Sequence, residues 1–137
     1  IHGDFCFSNI LCDLSKSNNS IKMIDPRGEI YGSTYYDIAK ICHSVFYDYD
    51  FIDSELYFLK DDYRIYNDGK MNIKKLFYRK LKLVLNLEEL KYIRYITASL
   101  FLSMIPLHSH NRNNQIMYYK KFKEIYLGGS FEKNFSD

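Results

Sequence analysis

Apolar residues recur at two different spacings along this chain, and the change of spacing separates a strand-forming start from a helical remainder. Two short apolar segments, Ile10–Asp13 and Ile21–Ile24, flank the polar run Ser-Lys-Ser-Asn-Asn-Ser at positions 15–20. A run rich in Ser and Asn between two short apolar segments is typical of a turn between paired strands. The pattern therefore predicts a β-hairpin near the start of the chain.

Helical spacing begins after an irregular loop at 26–34. Apolar side chains three and four positions apart, at Ile38, Ile41, Cys42, Val45 and Phe46, predict one face of a helix that begins at Tyr35 or Tyr36 and ends near Tyr47. The same spacing predicts helices over about 72–85, 87–105 and 114–127, the second ending before Pro106 and the third at Gly128-Gly129.

Two stretches give a less definite pattern. Residues 48–68 are compatible with a second hairpin turning at positions 60–62 or with a short helix, and the tail 130–137 is expected to fray. Together the elements predict a mainly α fold with one or two small β-hairpins in a single domain over residues 1–137. A chain of this length suits one domain with a modest core, to which 14 tyrosines and 10 phenylalanines contribute bulk.

Composition narrows the class of protein. The longest apolar stretch, around 96–107, is interrupted by Thr97, Ser99 and Ser103, so it predicts a core helix and no membrane span. Cys6, Cys12 and Cys42 are odd in number and lack metal-ligand spacing, and we expect reduced thiols in a cytoplasmic protein. Basic residues are concentrated in 69–137 but alternate with apolar helix positions, which favours a solvated helix face over nucleic-acid binding.

The residues with the most specific chemistry lie in the first 25 positions. Asp4 is followed five residues later by Asn9, and Asp25 comes directly after the second apolar segment. Pro26 follows Asp25 and favours an extended backbone there. Phosphoryl transfer from Mg·ATP needs a carboxylate that accepts the proton of the attacking hydroxyl, and amide and carboxylate oxygens that bind the metal. Kinase catalytic loops have the same Asp-to-Asn spacing, followed by a metal-binding aspartate. The pattern predicts Asp4 as the catalytic base and Asn9 and Asp25 as metal ligands.

Two motifs point to one branch of the kinase-like proteins. His2-Gly3-Asp4 with Asn9 resembles the signature of the aminoglycoside phosphotransferase and choline kinase superfamily. The segment 32–40, Gly-Ser-Thr-Tyr-Tyr-Asp-Ile-Ala-Lys, is similar to the family's G-D-P-x-x-D-L-A motif, with Gly32 and Asp37 in register. The sequence Ile-Asp-Pro-Arg-Gly at 24–28 looks most like that of uncharacterised bacterial members of this superfamily associated with capsule or lipopolysaccharide synthesis.

The resemblance implies a fold and an activity. The chain would be the C-terminal catalytic lobe of a protein-kinase-like α+β fold, with the nucleotide-binding N-terminal lobe outside it, so we expect the isolated chain to be inactive. ATP would be a substrate and Mg²⁺ the cofactor, with a sugar, amino alcohol or choline-like molecule as the hydroxyl acceptor. An aminoglycoside-resistance phosphotransferase and a non-catalytic pseudokinase or interaction module are the alternatives.

Supporting roles are predicted around the catalytic loop. His2 is expected to hydrogen-bond the backbone, and Gly3 to allow a backbone shape that a Cβ would block. The resemblance implies that Asp37 lies under the loop and accepts its backbone N–H groups. Arg27 would contact a phosphate or a substrate anion, or else pair with Glu29 at the surface.

A candidate acceptor pocket follows the first predicted helix. Asp48 and Asp50, with Tyr47 and Tyr49, would hold a cationic acceptor by charge and by cation–π contact. A solvated acidic loop is an equally good interpretation of this segment. The remaining histidines, His43, His108 and His110, are predicted to be structural or on the surface.

Overall fold

A computed structural model defines residues 1–15, 20–27, 31–58, 64–65, 70–128 and 131. Within these ranges a 3-10 turn at Phe7–Asn9 leads into strands β1 (Ile10–Asp13) and β2 (Ser20–Met23), helices α1 (Thr34–Tyr47) and α2 (Tyr49–Asp53), strands β3 (Tyr57–Phe58) and β4 (Arg64–Ile65), and helices α3 (Lys70–Val84), α4 (Leu87–Leu107) and α5 (Arg112–Gly128). The predicted class, mainly α with small β-hairpins, is confirmed.

The first hairpin has the predicted position. Strands β1 and β2 pair antiparallel, with Ile10 opposite Met23 and Asp13 opposite Ser20, so the second strand lies one residue earlier than predicted. The segment 48–68 was compatible with a hairpin or a short helix, and the structure contains a part of each. Helix α2 precedes a short antiparallel pair of strands in which Tyr57 lies opposite Ile65. The turn predicted at 60–62 lies outside the described residues.

Helix α1 is the central element of the fold. It packs against α2, α3 and α4, and every residue from 39 to 48 is buried. The sequence predicted one apolar face, whereas the structure buries the polar face as well, including Lys40, His43 and Ser44. The segment 2–9 lies against that face and bonds to Lys40 and Ser44, whereas the ring of His43 packs against Tyr49 and Phe101.

Helix α4 packs between α1 and α5 and has well-defined bonds at its start. The Asn86 side chain accepts from the backbone N–H of Glu89 at 3.0 Å, and the Glu89 carboxylate accepts from the N–H of Asn86 at 2.8 Å. This capping box satisfies two N–H groups that have no partner within the helix. Arg94, buried in the same helix, donates to the backbone oxygens of Ile125 and Tyr126 near the end of α5.

The end of helix α4 and one residue of the tail differ from the prediction. Helix α4 continues through Pro106 to Leu107, because the N–H of His108 still bonds to the carbonyl of Met104 at 3.1 Å and closes the last turn. In the tail, Phe131 is not frayed, since it is 3% exposed and its ring lies 4.9 Å from that of Phe46. The other tail residues, 130 and 132–137, lie outside the described part of the chain.

The cysteines and the long apolar helix were also the subject of predictions. Cys6, Cys12 and Cys42 are all free thiols, with Cys6 and Cys42 buried. Among the residues that the structure describes, no helix combines the length and apolar character needed to cross a bilayer.

Candidate active site

The backbone of the loop at 2–4 is bound to a single carboxylate from helix α1. Asp37 accepts the N–H of His2 on Oδ2 at 2.7 Å and the N–H of Gly3 on Oδ1 at 2.8 Å. Gly3 has a φ of +77°, in the left-handed region where a Cβ is unfavourable. These are the contacts that the resemblance implied for Asp37, and the conformation explains why a glycine stands at position 3.

Asp37 is the first of a row of polar side chains that bind this loop. Lys40 and Ser44 follow it at i+3 and i+7, which places all three on one face of α1. Lys40 Nζ lies 2.7 Å from Asp4 Oδ1, and Ser44 Oγ accepts the N–H of Phe7 at 3.2 Å. Asp50 of α2 extends the row by accepting the N–H of Ser8 at 3.0 Å. We call Asp37, Lys40, Ser44 and Asp50 the loop-binding row.

The two oxygens of the Asp4 carboxylate have different surroundings. Oδ1 is held by Lys40, whose side chain is 6% exposed, and Oδ2 lies 3.6 Å from Nε of Arg27, whose side chain is 69% exposed. The Asp4 side chain as a whole is 15% exposed. One oxygen therefore faces the protein interior, and the other faces an exposed guanidinium at the surface.

Asn9 is bonded directly to the backbone of the proposed base. Its side-chain Nδ2 donates to the carbonyl of Asp4 at 2.8 Å, which leaves Oδ1 as the side-chain atom able to bind a cation. The carbonyl of Asn9 accepts the N–H of Ile24 at 3.0 Å. The hairpin thus returns the chain to the loop from which it started, next to Asp25.

The backbone conformation of Asp25 differs from the prediction. Pro26 was expected to keep Asp25 extended, but its φ is +53°. The cause is that the chain is bound to the loop on both sides of it, by the N–H of Ile24 and by the N–H of Arg27, which donates to the carbonyl of His2 at 2.8 Å. The chain must turn sharply between these bonds, and aspartate is among the few residues that tolerate a left-handed conformation.

Arg27 lies between the two carboxylates of the candidate site. Its Nη2 is 3.3 Å from Asp25 Oδ2, and its Nε is 3.6 Å from Asp4 Oδ2. The negative charge of Asp4, followed by that of Asp25, raises the pKa of Arg27 above its usual value, so the guanidinium stays charged. Its predicted alternative partner, Glu29, lies outside the described residues.

Asn9 and Asp25 fit a magnesium ion in donor chemistry. Mg²⁺ prefers oxygen ligands and is commonly bound by one or two protein carboxylates together with substrate phosphates. Within the described ranges, no group of three or more His, Cys, Asp or Glu side chains is placed to hold a metal. Asn9 and Asp25 offer one amide and one carboxylate oxygen donor, a number that would leave room for the phosphates of a nucleotide.

Two of the four residues predicted to form the acceptor pocket, Tyr47 and Asp48, are buried. Tyr47 is 2% exposed and packs edge-on against Phe101. Asp48 is also buried, and its Oδ2 lies 3.7 Å from Nζ of Lys121, so its charge is already paired. A dissolved acceptor has no access to either side chain, because helices α4 and α5 cover them.

Tyr49 and Asp50 are the other two residues of the predicted acceptor pocket. Asp50 belongs to the loop-binding row, and Tyr49 packs beside it. The ring of Tyr49 stacks on His43 at 4.1 Å between centroids and lies 5.5 Å from Nζ of Lys40. Burial raises the pKa of Tyr49, so its phenol stays neutral. Asp50 uses Oδ1 to hold Ser8, while its Oδ2 is buried without a hydrogen-bond partner among the described residues.

Three of the four histidines are packed or hydrogen-bonded within the fold, and the fourth is on the surface. His2 Nδ1 accepts the N–H of Asp4 at 3.3 Å, the kind of backbone bond predicted for it. His43 is fully buried, and burial, followed by the nearby charge of Lys40, lowers its pKa well below the usual value, so the ring is neutral. His108 bridges the carbonyl of Met104 and the carboxylate of Asp53, at 3.0 and 3.1 Å, and His110 is exposed.

Sequence reasoning missed Lys40 and Ser44, although a signal was present. Together with Asp37 they are polar residues at helical spacing inside a helix that is otherwise largely apolar. Polar residues on one face of a buried helix need partners, because an unpaired buried polar group is costly. That spacing could have predicted a second polar segment lying against the helix.

Comparison of the chain with family models, with curated proteins and with solved structures found no match. The contacts described above are therefore the basis for the functional proposal.

Proposed function

We propose that this chain is the catalytic lobe of a kinase-like phosphotransferase that moves the γ-phosphoryl group of ATP to a hydroxyl of a small molecule. The observation that supports it best is the convergence of Asp4, Asn9 and Asp25. Asn9 bonds to the backbone of Asp4 at 2.8 Å, and Arg27 contacts the carboxylates of both Asp4 and Asp25. These residues come from two segments separated by a hairpin, so their convergence is a property of the fold.

The proposed chemistry assigns one task to each group. Asp4 Oδ2 accepts the proton of the acceptor hydroxyl while the hydroxyl oxygen forms a bond to the γ-phosphorus. The bond between that phosphorus and the oxygen bridging to the β-phosphate breaks, and ADP leaves with the bonding electrons. Asn9 Oδ1 and the Asp25 carboxylate would hold Mg²⁺, which when bound neutralises charge on the phosphates. Arg27 would contact a phosphate oxygen.

The acceptor that we favour is a sugar or another small alcohol. The case for a choline-like or aminoglycoside acceptor depended on a pocket of acidic and aromatic side chains, and Tyr47 and Asp48 are buried. We further propose that the reaction takes place in the cytoplasm, where Mg·ATP is available, and that it serves the synthesis of a surface polysaccharide. The three free thiols are compatible with that compartment.

The test is ADP release by the full-length gene product. The protein is incubated with Mg·ATP and a panel of sugars, sugar alcohols, amino alcohols, choline and aminoglycosides, beside an Asp4→Asn variant. We expect one class of acceptor to stimulate ADP release, and we expect Asp4→Asn to abolish the stimulation while its melting temperature stays close to that of the wild type. Failure of the wild-type protein to bind nucleotide in the presence of Mg²⁺ would contradict the proposal and leave a non-catalytic module.

A further inference from the structure

We infer that Lys40 is a positioning residue for the catalytic base, an inference that rests on the proposed phosphotransferase function. Its Nζ is 2.7 Å from Asp4 Oδ1, the shortest of the cation-to-carboxylate distances around Asp4. This contact fixes the carboxylate so that Oδ2 is the atom presented to the acceptor hydroxyl.

The burial of Lys40 makes the contact a fixed part of the structure. Its side chain is 6% exposed, and lysine is seldom buried to that extent unless its charge is paired. The aromatic ring of Tyr49 lies 5.5 Å from Nζ and is itself stacked on His43. The ammonium group is thus confined between an aromatic ring and the carboxylate, which limits the conformations that it can adopt.

The same helix holds both the backbone and the side chain of the catalytic loop. Asp37 binds the N–H groups of His2 and Gly3, and Lys40, one turn later in α1, binds the Asp4 carboxylate. A base held by a rigid element keeps its geometry better than one held by a loop alone. Misplacement of a reacting group by about 1 Å can cost roughly 10²-fold in rate.

A second buried lysine provides a matched control. Lys121 of α5 is also 6% exposed, and its Nζ is paired with Asp48 at 3.7 Å and with Glu124 at 2.9 Å. None of these residues belongs to the loop or to its proposed ligands. Replacing Lys121 therefore removes a buried ammonium group of the same kind without touching Asp4.

The experiment compares Lys40→Met, Lys40→Arg and Lys121→Met in the full-length gene product, with kcat, KM for Mg·ATP and melting temperature measured for each. We expect Lys40→Met to lower kcat about 10²-fold with little change in KM, because Asp4 loses its position and the nucleotide site is untouched. Lys40→Arg, which keeps the cation, should recover part of kcat. Lys121→Met should lower the melting temperature and leave kcat unchanged.

Three results would overturn the inference in distinguishable ways. If the wild-type protein transfers phosphate and folded Lys40→Met has the same kcat, the role of Lys40 is refuted and the proposed function stands. If the wild-type protein transfers no phosphate to any acceptor, the proposed function fails and this inference fails with it. Equal losses of kcat in Lys40→Met and Lys121→Met would show a general effect of stability and would also refute it.

Discussion

The side-chain amide of Asn9 donates a hydrogen bond to the backbone carbonyl of Asp4 at 2.8 Å. This bond couples the residue proposed to bind the metal to the residue proposed to accept the proton. The backbone of Asn9 is in turn bonded to Ile24, beside Asp25. These two bonds therefore hold the loop that carries Asp4 against the end of the hairpin, next to Asp25.

Asp25→Asn should raise the Mg²⁺ concentration needed for half-maximal activity by about 10-fold or more, because a neutral amide is a weaker ligand than a carboxylate. Removal of Mg²⁺ with a chelator should abolish activity in the wild type, and added Mg²⁺ should restore it. The measurement is ADP release against Mg²⁺ concentration. Asp53→Asn, which changes an exposed carboxylate on α2, serves as the control, and the same Mg²⁺ requirement in both variants would contradict the assignment of Asp25.

Asp37→Asn should destabilise the fold by about 1–3 kcal/mol, because the amide that replaces one carboxylate oxygen would face an N–H group of His2 or Gly3 and leave it unpaired. Urea unfolding measures this change. Asp13→Asn is the matched control, since Asp13 also accepts an N–H, from Ser15 at 3.0 Å, but in an exposed bond at the end of β1. Equal and small effects of the two substitutions would show that the Asp37 bonds are unimportant for stability.

The stability of the wild-type protein should fall as the pH drops below 6.5, and His43 should account for part of the fall. Burial lowers the pKa of folded His43 well below its ordinary value of 6.5, so the unfolded chain takes up a proton that the folded protein does not. Stability rises with pH wherever the unfolded state binds more protons. The sign is therefore a loss of stability on acidification.

His43→Phe keeps an aromatic ring against Tyr49 and Phe101 and removes this titration. We expect the difference in free energy of unfolding between this variant and the wild type to shift in favour of the variant as the pH falls. The shift should reach as much as about 1.4 kcal/mol for each pH unit below 6.5. Between pH 7 and 8 the difference should be constant, because the imidazole is neutral in both states. A difference that does not change from pH 8 to 5 would show that His43 binds its proton equally in the folded and unfolded states, and would contradict the prediction.

Local patterns in the sequence predicted most of the elements. The polar run at 15–20 predicted the first hairpin, and helical spacing predicted α1, α3, α4 and α5 to within a few residues. Both signals depend on near neighbours in the chain, which is why they could be interpreted without the fold. The end of α4 was misplaced because proline is tolerated in a last turn that other backbone bonds close.

Long-range contacts explain what the sequence did not predict. Asp48 was taken for a ligand of the acceptor, but Lys121, more than 70 positions away, pairs with it inside the fold. Lys40 was not singled out because its role depends on the loop that lies against α1. Asp25 was expected to be extended because Pro26 follows it. The hydrogen bonds of Ile24 and Arg27, on either side of it, instead hold it in a left-handed conformation. The local signals identified Asp4, Asn9 and Asp25 as candidates, and only the fold shows that the three converge.

The central claim is that Asp4 is the base in a transfer of phosphate from Mg·ATP to a small hydroxyl compound. The most direct test follows the γ-phosphoryl group of labelled ATP into the acceptor, with the full-length wild type and with folded Asp4→Asn. Transfer that requires Mg²⁺ and acceptor in the wild type, and falls by at least about 10²-fold in Asp4→Asn, is the predicted result. Equal transfer by the two proteins, or none by the wild type with any acceptor, would contradict the claim.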